Sequence, residues 1–148
     1  MKRDEAIAPL SREHHTSLIL AQILKKNAPE YKGLPVTVEG KLAYLFELMD
    51  THIEPHFRAE ERIINYLDSR AERFKPMHEK ILHEHNLIRR SVAALKSGSE
   101  LVIDEMDDLA QLLEGHIRFE EREYFKYLQD HLSEEEMQMV AQLEAQRQ

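Results

Sequence analysis

The stretch His56-Phe-Arg-Ala-Glu60-Glu61-Arg62 returns as His116-Ile-Arg-Phe-Glu120-Glu121-Arg122, identical at the His, the first Arg, both Glu and the last Arg. A His and a Glu four residues apart lie one turn apart on a single face of an α-helix. Two such pairs in a chain of 148 residues constrain the fold strongly. They call for long helices packed so that imidazoles and carboxylates from different helices meet inside, as in a helical bundle with a two-metal interior.

The composition agrees. Gly is 4 and Pro is 5, so long regular elements are expected, and strand patterns are scarce. A length of 148 residues suits a single domain, residues 1–148, with a sizeable core. Charged residues of both signs make up 32% of the chain, as solvated helix faces require. The net charge is −8 and no basic block occurs, so nucleic acid is not an expected partner. Cys is 0, which excludes disulfides, thiolate metal sites and cysteine nucleophiles, and fits the expected cytoplasmic location. No apolar run reaches membrane-spanning length, and the N-terminus lacks a signal peptide's apolar core, so no membrane partner is expected.

The expected architecture is all-α, an antiparallel up-down-up-down four-helix bundle with a short C-terminal helix. The first helix runs from about Leu10 to Lys26 and is stopped by Asn27-Ala-Pro29. The second runs from about Thr37 to Asp68, and the third from about Pro76 to just before Ser97-Gly98-Ser99. The fourth spans about Glu100 to Gln129 with Ser99 as its N-cap, which places the main helices over residues 10–130. Ser133 and Glu136 form a capping-box pattern that opens the last helix, to about residue 147. Its Met137, Val140 and Leu143 make an apolar edge that either caps the bundle or meets another chain. Short connections favour antiparallel neighbours. Pro55 sits inside the second helix directly before His56, so a kink is expected there, either as a tolerated bend or as a device that aims His56.

A weaker repeat relates Leu10-Ser-Arg-Glu13-His14 to Ile81-Leu-His-Glu84-His85. The chain therefore reads as two diverged hairpins, each with a Glu-His helix followed by a His-Xaa3-Glu helix. A lone His-Xaa3-Glu is usually an exposed pair. Here the face decides otherwise. On the second helix, His56 and Glu60 share a stripe with Leu42, Leu45, Met49, His52, Ile63 and Leu67. On the fourth, His116 and Glu120 share one with Val102, Leu109, Leu112 and Tyr127, and also with Glu123. His85 lies with Ile81, Arg89 and Val92, and His14 with Ile7, Leu10, Leu18 and Ala21. His15 has the more polar flanks Ser11 and Gln22, so His14 is the expected inward residue. Counted along the helices, His14 meets the level of His56, and His85 that of His116, within about one turn.

Four core-facing His and two core-facing Glu, without thiols, point to metal, because a buried carboxylate must be protonated, paired or ligating. Six ligands exceed one tetrahedral zinc. They suit two octahedral ions, each with two His and with both Glu shared as bridges, which leaves places open for water, hydroxide or dioxygen. Such imidazole and carboxylate donors fit iron, manganese or zinc. Compared with ferritin-like sites built on Glu-Xaa2-His, this set is richer in nitrogen and poorer in charge.

The order Glu-His, His-Xaa3-Glu-Glu, Glu-His, His-Xaa3-Glu-Glu resembles the hemerythrin-like, or HHE cation-binding, domain family. The stretches from Leu10 to His15 and from His116 to Glu123 look like a bacterial branch, and the resemblance covers about residues 8–130. It implies a four-helix bundle around a non-haem di-iron centre, with His14, His56, Glu60, His85, His116 and Glu120 as metal ligands. Family roles include oxygen binding and transport, oxygen or iron sensing, and responses to nitric oxide or peroxide. Two departures weigh against reversible oxygen carriage. Carriers have a second His on the third helix where Arg89 stands, and a His-Xaa4-Asp on the fourth, where this chain offers Glu120 at the shorter spacing and Glu121 at the longer. Members that repair iron clusters use an N-terminal Cys region that this chain lacks.

The expected function is therefore a non-haem di-iron protein, with two iron ions, that binds dioxygen or a related small ligand for sensing, storage or scavenging. The alternatives are a di-iron redox enzyme acting on peroxide, nitric oxide or ferrous iron, and a helical interaction module with a structural metal. His52 reads as a core His rather than a ligand, His78 as structural, and His83 and His131 as surface residues. Glu13 and Glu84 read as helix-surface acids. Glu61 and Glu121 flank the stripes and either orient ligand imidazoles or pair with Arg on neighbouring helices.

Overall fold

The structure, a computed structural model, describes residues 2–146. It contains α1 (Ala8–Leu24), α2 (Val38–Leu48), α3 (Glu54–Arg70), α4 (Lys75–Ser97), α5 (Val102–Phe119), α6 (Phe125–His131) and α7 (Glu134–Glu144). No strand occurs among the described residues. Pro9 and Pro76 sit in the first turns of α1 and α4, where a missing N–H is harmless. The side chain of Thr37 accepts the Gly40 N–H and starts α2. Gly98, at φ +94°, ends α4 with a left-handed residue. Ser99 does not cap α5 as expected. Its hydroxyl accepts the Leu101 N–H at 3.0 Å, and the helix starts only at Val102.

α2 and α3 form one long helix joined by a π-turn, Met49–Ile53, and α5 and α6 form another joined by Glu120–Tyr124. The first π-turn accounts for Pro55. The Glu54 N–H reaches back five residues to the Met49 carbonyl, so the Pro enters the first turn of α3 instead of breaking a running ladder. The second has no Pro, yet the Phe125 N–H reaches the Glu120 carbonyl in the same way. An inserted residue rotates everything beyond it by about 100°. An uninterrupted helix would place Glu123 on the apolar stripe. In the structure Glu123 is exposed, and Tyr124, Phe125 and Leu128 turn inward. Leu18 also departs from its expected stripe and is 36% exposed, because α1 centres its buried face on Leu10, His14, Ser17 and Ala21.

Side-chain pairs fix the direction of the helices. Ser11 meets Glu121 while Lys25 meets Glu114, so α1 opposes the α5–α6 helix. Asp68, Glu61 and Glu54 meet His78, His85 and Arg89 in turn, so α3 opposes α4. His78 and Glu84 meet Tyr124 and His116, so α4 opposes α5–α6. This is the expected up-down-up-down order. The tail caps its own bundle. α7 packs against α3, Val140 is fully buried, Arg70 pairs with Glu136 at 3.3 Å, and Arg62 donates to the Leu143 carbonyl.

The core is divided. One apolar cluster holds Leu20, Leu24, Leu45, Ile53, Phe57, Ile88 and Leu113. The other holds Ile7, Leu10, Ile63, Leu67, Phe74, Ile81, Tyr124 and Val140. Between them, along every long helix, lies a polar layer: His14, His56, Glu60, His85, His116 and Glu120, all buried. No helix among the described residues is long and apolar enough to cross a membrane.

Candidate metal centre

The structure brings all six sequence-predicted residues together. α1 carries His14, α3 carries His56 and Glu60, α4 carries His85, α5 carries His116, and the second π-turn opens with Glu120. Donor atoms of His14, His56, Glu60 and Glu120 lie within 4.8 Å of one another, and so do those of Glu60, His85, His116 and Glu120. The imidazoles pair as the helix levels foretold, His14 with His56 and His85 with His116, each at 5.0 Å between ring centroids. Glu60 and Glu120 belong to both groups and stand between the pairs. His15 is exposed and takes no part. The Nε2–H of His52 donates to the Glu13 carbonyl at 3.0 Å, so His52 ties α1 to the first π-turn and lies outside both groups.

Behind the centre runs a ring of carboxylates, two of which, Glu61 and Glu121, the sequence had left between orienting imidazoles and pairing with Arg. Glu13 accepts from His56 Nδ1 at 2.9 Å, and Glu61 from His85 Nδ1 at 2.8 Å. Glu84 accepts from His116 Nδ1 at 2.9 Å, and Glu121 from His14 Nδ1 at 2.7 Å. Each of the four long helices thus gives one His to the centre and one Glu that holds the His of its neighbour, in a closed circuit. The available signal was the adjacency itself, Glu-His or Glu-Glu in every motif. Glu61 and Glu121 do both things the sequence offered, while Glu13 and Glu84, read as surface acids, hold imidazoles. A proton fixed on Nδ1 leaves the Nε2 lone pair facing inward, the tautomer a metal requires.

Cations stand behind three of these carboxylates. Arg89 grips Glu54 and Glu61 at 2.8–3.1 Å and lies 5.4 Å above the Phe57 ring. Its guanidinium therefore points outward and supplies no ligand at the position where carriers have a His. Arg3 bonds the Glu121 side chain at 3.1 Å and also its backbone carbonyl, and Lys80 pairs with Glu84 at 2.8 Å. Burial opposes ionisation of Glu61, Glu84 and Glu121, but hydrogen bonds from His85, His116 and His14, with these cations, outweigh it and lower their pKa values.

Inside the ring, the metal-free protein sets imidazoles against carboxylates, His14 Nε2 at 2.9 Å from Glu120 and His85 Nε2 at 3.0 Å from Glu60. Burial disfavours the imidazolium of His14, yet hydrogen bonds with Glu120 and Glu121 push it up to about 10. Burial is likewise overcome at His56, chiefly by Glu60, and at His85 by Glu60 and Glu61, each pushed up to about 9. Burial and the neighbouring Glu60 raise Glu120, whereas His56 and hydrogen bonds hold Glu60 low against its own burial. Even so, His56 Nε2, His116 Nε2, Glu60 Oε2 and Glu120 Oε2 are buried and make no hydrogen bond. Four buried atoms without a hydrogen bond facing one interior are costly in a metal-free core, at about 1–3 kcal/mol each, and are where cations would bind, displacing the Nε2 proton of His56. The set fits metal.

A family model described as the hemerythrin HHE cation binding domain matches residues 5–128. An uncharacterised hemerythrin-like protein of Schizosaccharomyces pombe is 36% identical over 69 residues, covering 45% of this chain and 34% of that protein. The chain thus spans about a third of the length of that relative. No solved structure matches.

Proposed function

This chain belongs to the hemerythrin HHE cation-binding family, and from that premise we propose that it is a non-haem di-iron protein that binds dioxygen or a related small ligand for sensing, storage or scavenging. His14 and His56 would hold one ion and His85 and His116 the other, with Glu60 and Glu120 offered to both. One observation carries this reading. Two donor groups share the same two buried carboxylates, with orphaned Nε2 and Oε2 atoms facing between them. Two iron ions so held supply electrons and open coordination positions. The residues do the rest. Glu13, Glu61, Glu84 and Glu121 hold the imidazoles in the ligating tautomer, and the apolar clusters on either side keep bulk water and large substrates away.

The carboxylate ring also favours a second reading, a redox enzyme acting on peroxide, nitric oxide or ferrous iron. An imidazole that donates to a carboxylate is more basic and stabilises the more oxidised metal. Elemental analysis after iron-supplemented expression should give about two iron ions per chain, on the ligand count above. Manganese or zinc in its place would correct the metal, and no metal would sink the centre. Oxygen added to the ferrous protein then separates the readings. A coloured adduct that reverses under vacuum means ligand binding. Irreversible oxidation with peroxide consumed means redox turnover.

A further inference from the structure

One buried chain of hydrogen bonds is left unused by the metal centre. The Tyr124 hydroxyl lies 2.8 Å from His78 Nε2, and His78 Nδ1 lies 2.6 Å from Asp68 Oδ1. Asp68 accepts only, so Nδ1 carries the His78 proton, Nε2 is a bare acceptor, and the Tyr124 hydroxyl donates to it. Tyr124 and His78 are 2% and 1% exposed. His78 is stacked on Phe74 and edge-on to Tyr124, which locks its ring. Asp68 is the outer end, lining a surface groove between α3 and α4 that Glu61 also borders. Tyr124 closes the π-turn that Glu120 opens, and it feels the charge of both Glu60 and Glu120.

We propose that Tyr124 is a redox-active tyrosine that gives one electron to an oxidant at the neighbouring centre and its hydroxyl proton to His78. The oxidant is the one-electron acceptor left when a hydroperoxide reacts at the bound metal. The O–H bond of Tyr124 breaks, one electron leaves for that acceptor, and the proton forms a bond to His78 Nε2. The products are a neutral phenoxyl radical, an imidazolium paired with Asp68, and the acceptor reduced by one electron. Simple ionisation of Tyr124 is closed off, since burial and then Glu60 and Glu120 raise its pKa well above that of free tyrosine. Electron and proton therefore leave together, and no charge remains buried on the ring. Only the natural oxidant rests on the metal-centre reading. His78 and Asp68 are positioning residues, since they act through the phenol.

The experiment uses two oxidants. Metal-free protein is exposed to a photogenerated ruthenium tris-bipyridyl oxidant, and protein of measured iron content is mixed with hydrogen peroxide. Both are frozen and read by electron paramagnetic resonance. In a background carrying Tyr31→Phe, Tyr44→Phe, Tyr66→Phe and Tyr127→Phe, which removes the partly exposed tyrosines, a tyrosyl signal is expected in both, lost when Tyr124→Phe is added. In His78→Gln its rate of formation should fall by about a hundredfold, the low end of what a positioned base contributes. Asp68→Asn should lie between. A radical that persists in Tyr124→Phe overturns the assignment, as does unchanged kinetics in His78→Gln at unchanged helicity and iron content. If the protein holds no iron, the metal-free arm alone decides, so failure of the centre is distinguishable from failure of the tyrosine.

Discussion

The His14–His56 position and the His85–His116 position carry the same donors in the same order, yet the protein grips them differently. His85 lies flat on Phe57 with ring centroids 3.8 Å apart, whereas His14 faces Phe125 at 5.6 Å. Glu61 is fixed by Arg89 from the middle of α4, and Arg89 is itself pinned by Glu54. Glu121 is fixed by Arg3, from the segment ahead of α1. His85 and His116 are 0% and 1% exposed, His14 and His56 4% and 5%. A side chain outside any helix is held less firmly than one in a helix middle. The repeat is therefore symmetric in ligands and asymmetric in support. The His85–His116 position is the more enclosed and clamped of the two, so an ion at the His14–His56 position is expected to exchange faster.

The comparison breaks first if the bridges are not shared. Glu60→Ala combined with Glu120→Ala should abolish binding of both ions. Two ions per chain retained in elemental analysis would refute the bridging role. The next largest effect separates the positions. His14→Ala should leave one ion bound at His85–His116 with slow release to a chelator, whereas the ion left by His85→Ala should leave faster. Equal release rates would remove the asymmetry. Behind the ligands, Glu121→Gln and Glu61→Gln should each weaken metal affinity by about 10–100-fold, with the imidazole still in place. Isothermal titration against ferrous or manganous ion measures it, and an effect below a few-fold would demote the ring to packing.

Protons and metal compete for the same lone pairs, which gives a pH test with opposite signs. In the metal-free protein His14, His56 and His85 are raised from 6.5 to about 10, 9 and 9. Groups raised on folding stabilise fully below pH 6.5 and lose that contribution as pH rises through 9–10. Glu61, Glu84 and Glu121 are lowered from 4.5, so their share is present above that pH and is lost on acidification. Bound metal requires the neutral imidazole, so its protection grows with pH. Melting curves should show metal-free stability declining from pH 6.5 to 10 while the gap between loaded and metal-free protein widens. A gap that narrows over this range would contradict ligation by these imidazoles.

Much of this was legible in the chain because helical periodicity puts a ligand on an apolar stripe by arithmetic. His14 over His15 and the pairing of His14 with His56 followed from spacing, whereas spacing showed the tail's apolar edge but not the surface it meets. What failed was continuity. Neither π-turn leaves a local mark sufficient to read it. Pro55 announced a disturbance but not its form, and the Glu120–Tyr124 turn lacks even a Pro, so Glu123 was placed a register away from where it lies. Half of the carboxylate ring was missed for another reason. Glu13 and Glu84 do sit at the edge of their own helices, and their partner is on the next one. An apolar stripe is a property of one helix and carries nothing across a seam. The Tyr124–His78–Asp68 chain depends on both blind spots, an inward turn made by a π-turn and a bond between helices.

The smallest effect tests the clamp itself. Arg89 makes charge-assisted bonds to two carboxylates and covers an aromatic face, all within the bundle wall. Arg3 makes bonds to Glu121 and lies 5.6 Å from the Phe125 ring, but from the segment ahead of α1. Arg89→Ala should lower the stability of metal-free protein by about 1–2 kcal/mol, since Glu54 and Glu61 then lose a shared partner. Arg3→Ala should lower it by less than about 1 kcal/mol, because ordering a segment outside the helices offsets much of what the ion pair gains. Urea unfolding of both variants measures the difference. With metal present, the ranking should carry over to release. Arg3→Ala should loosen only the His14–His56 ion, through Glu121 and the His14 ring it holds. If Arg3→Ala proves the more damaging in urea, the segment ahead of α1 is the stronger clamp, and the faster exchange is expected at the His85–His116 position instead.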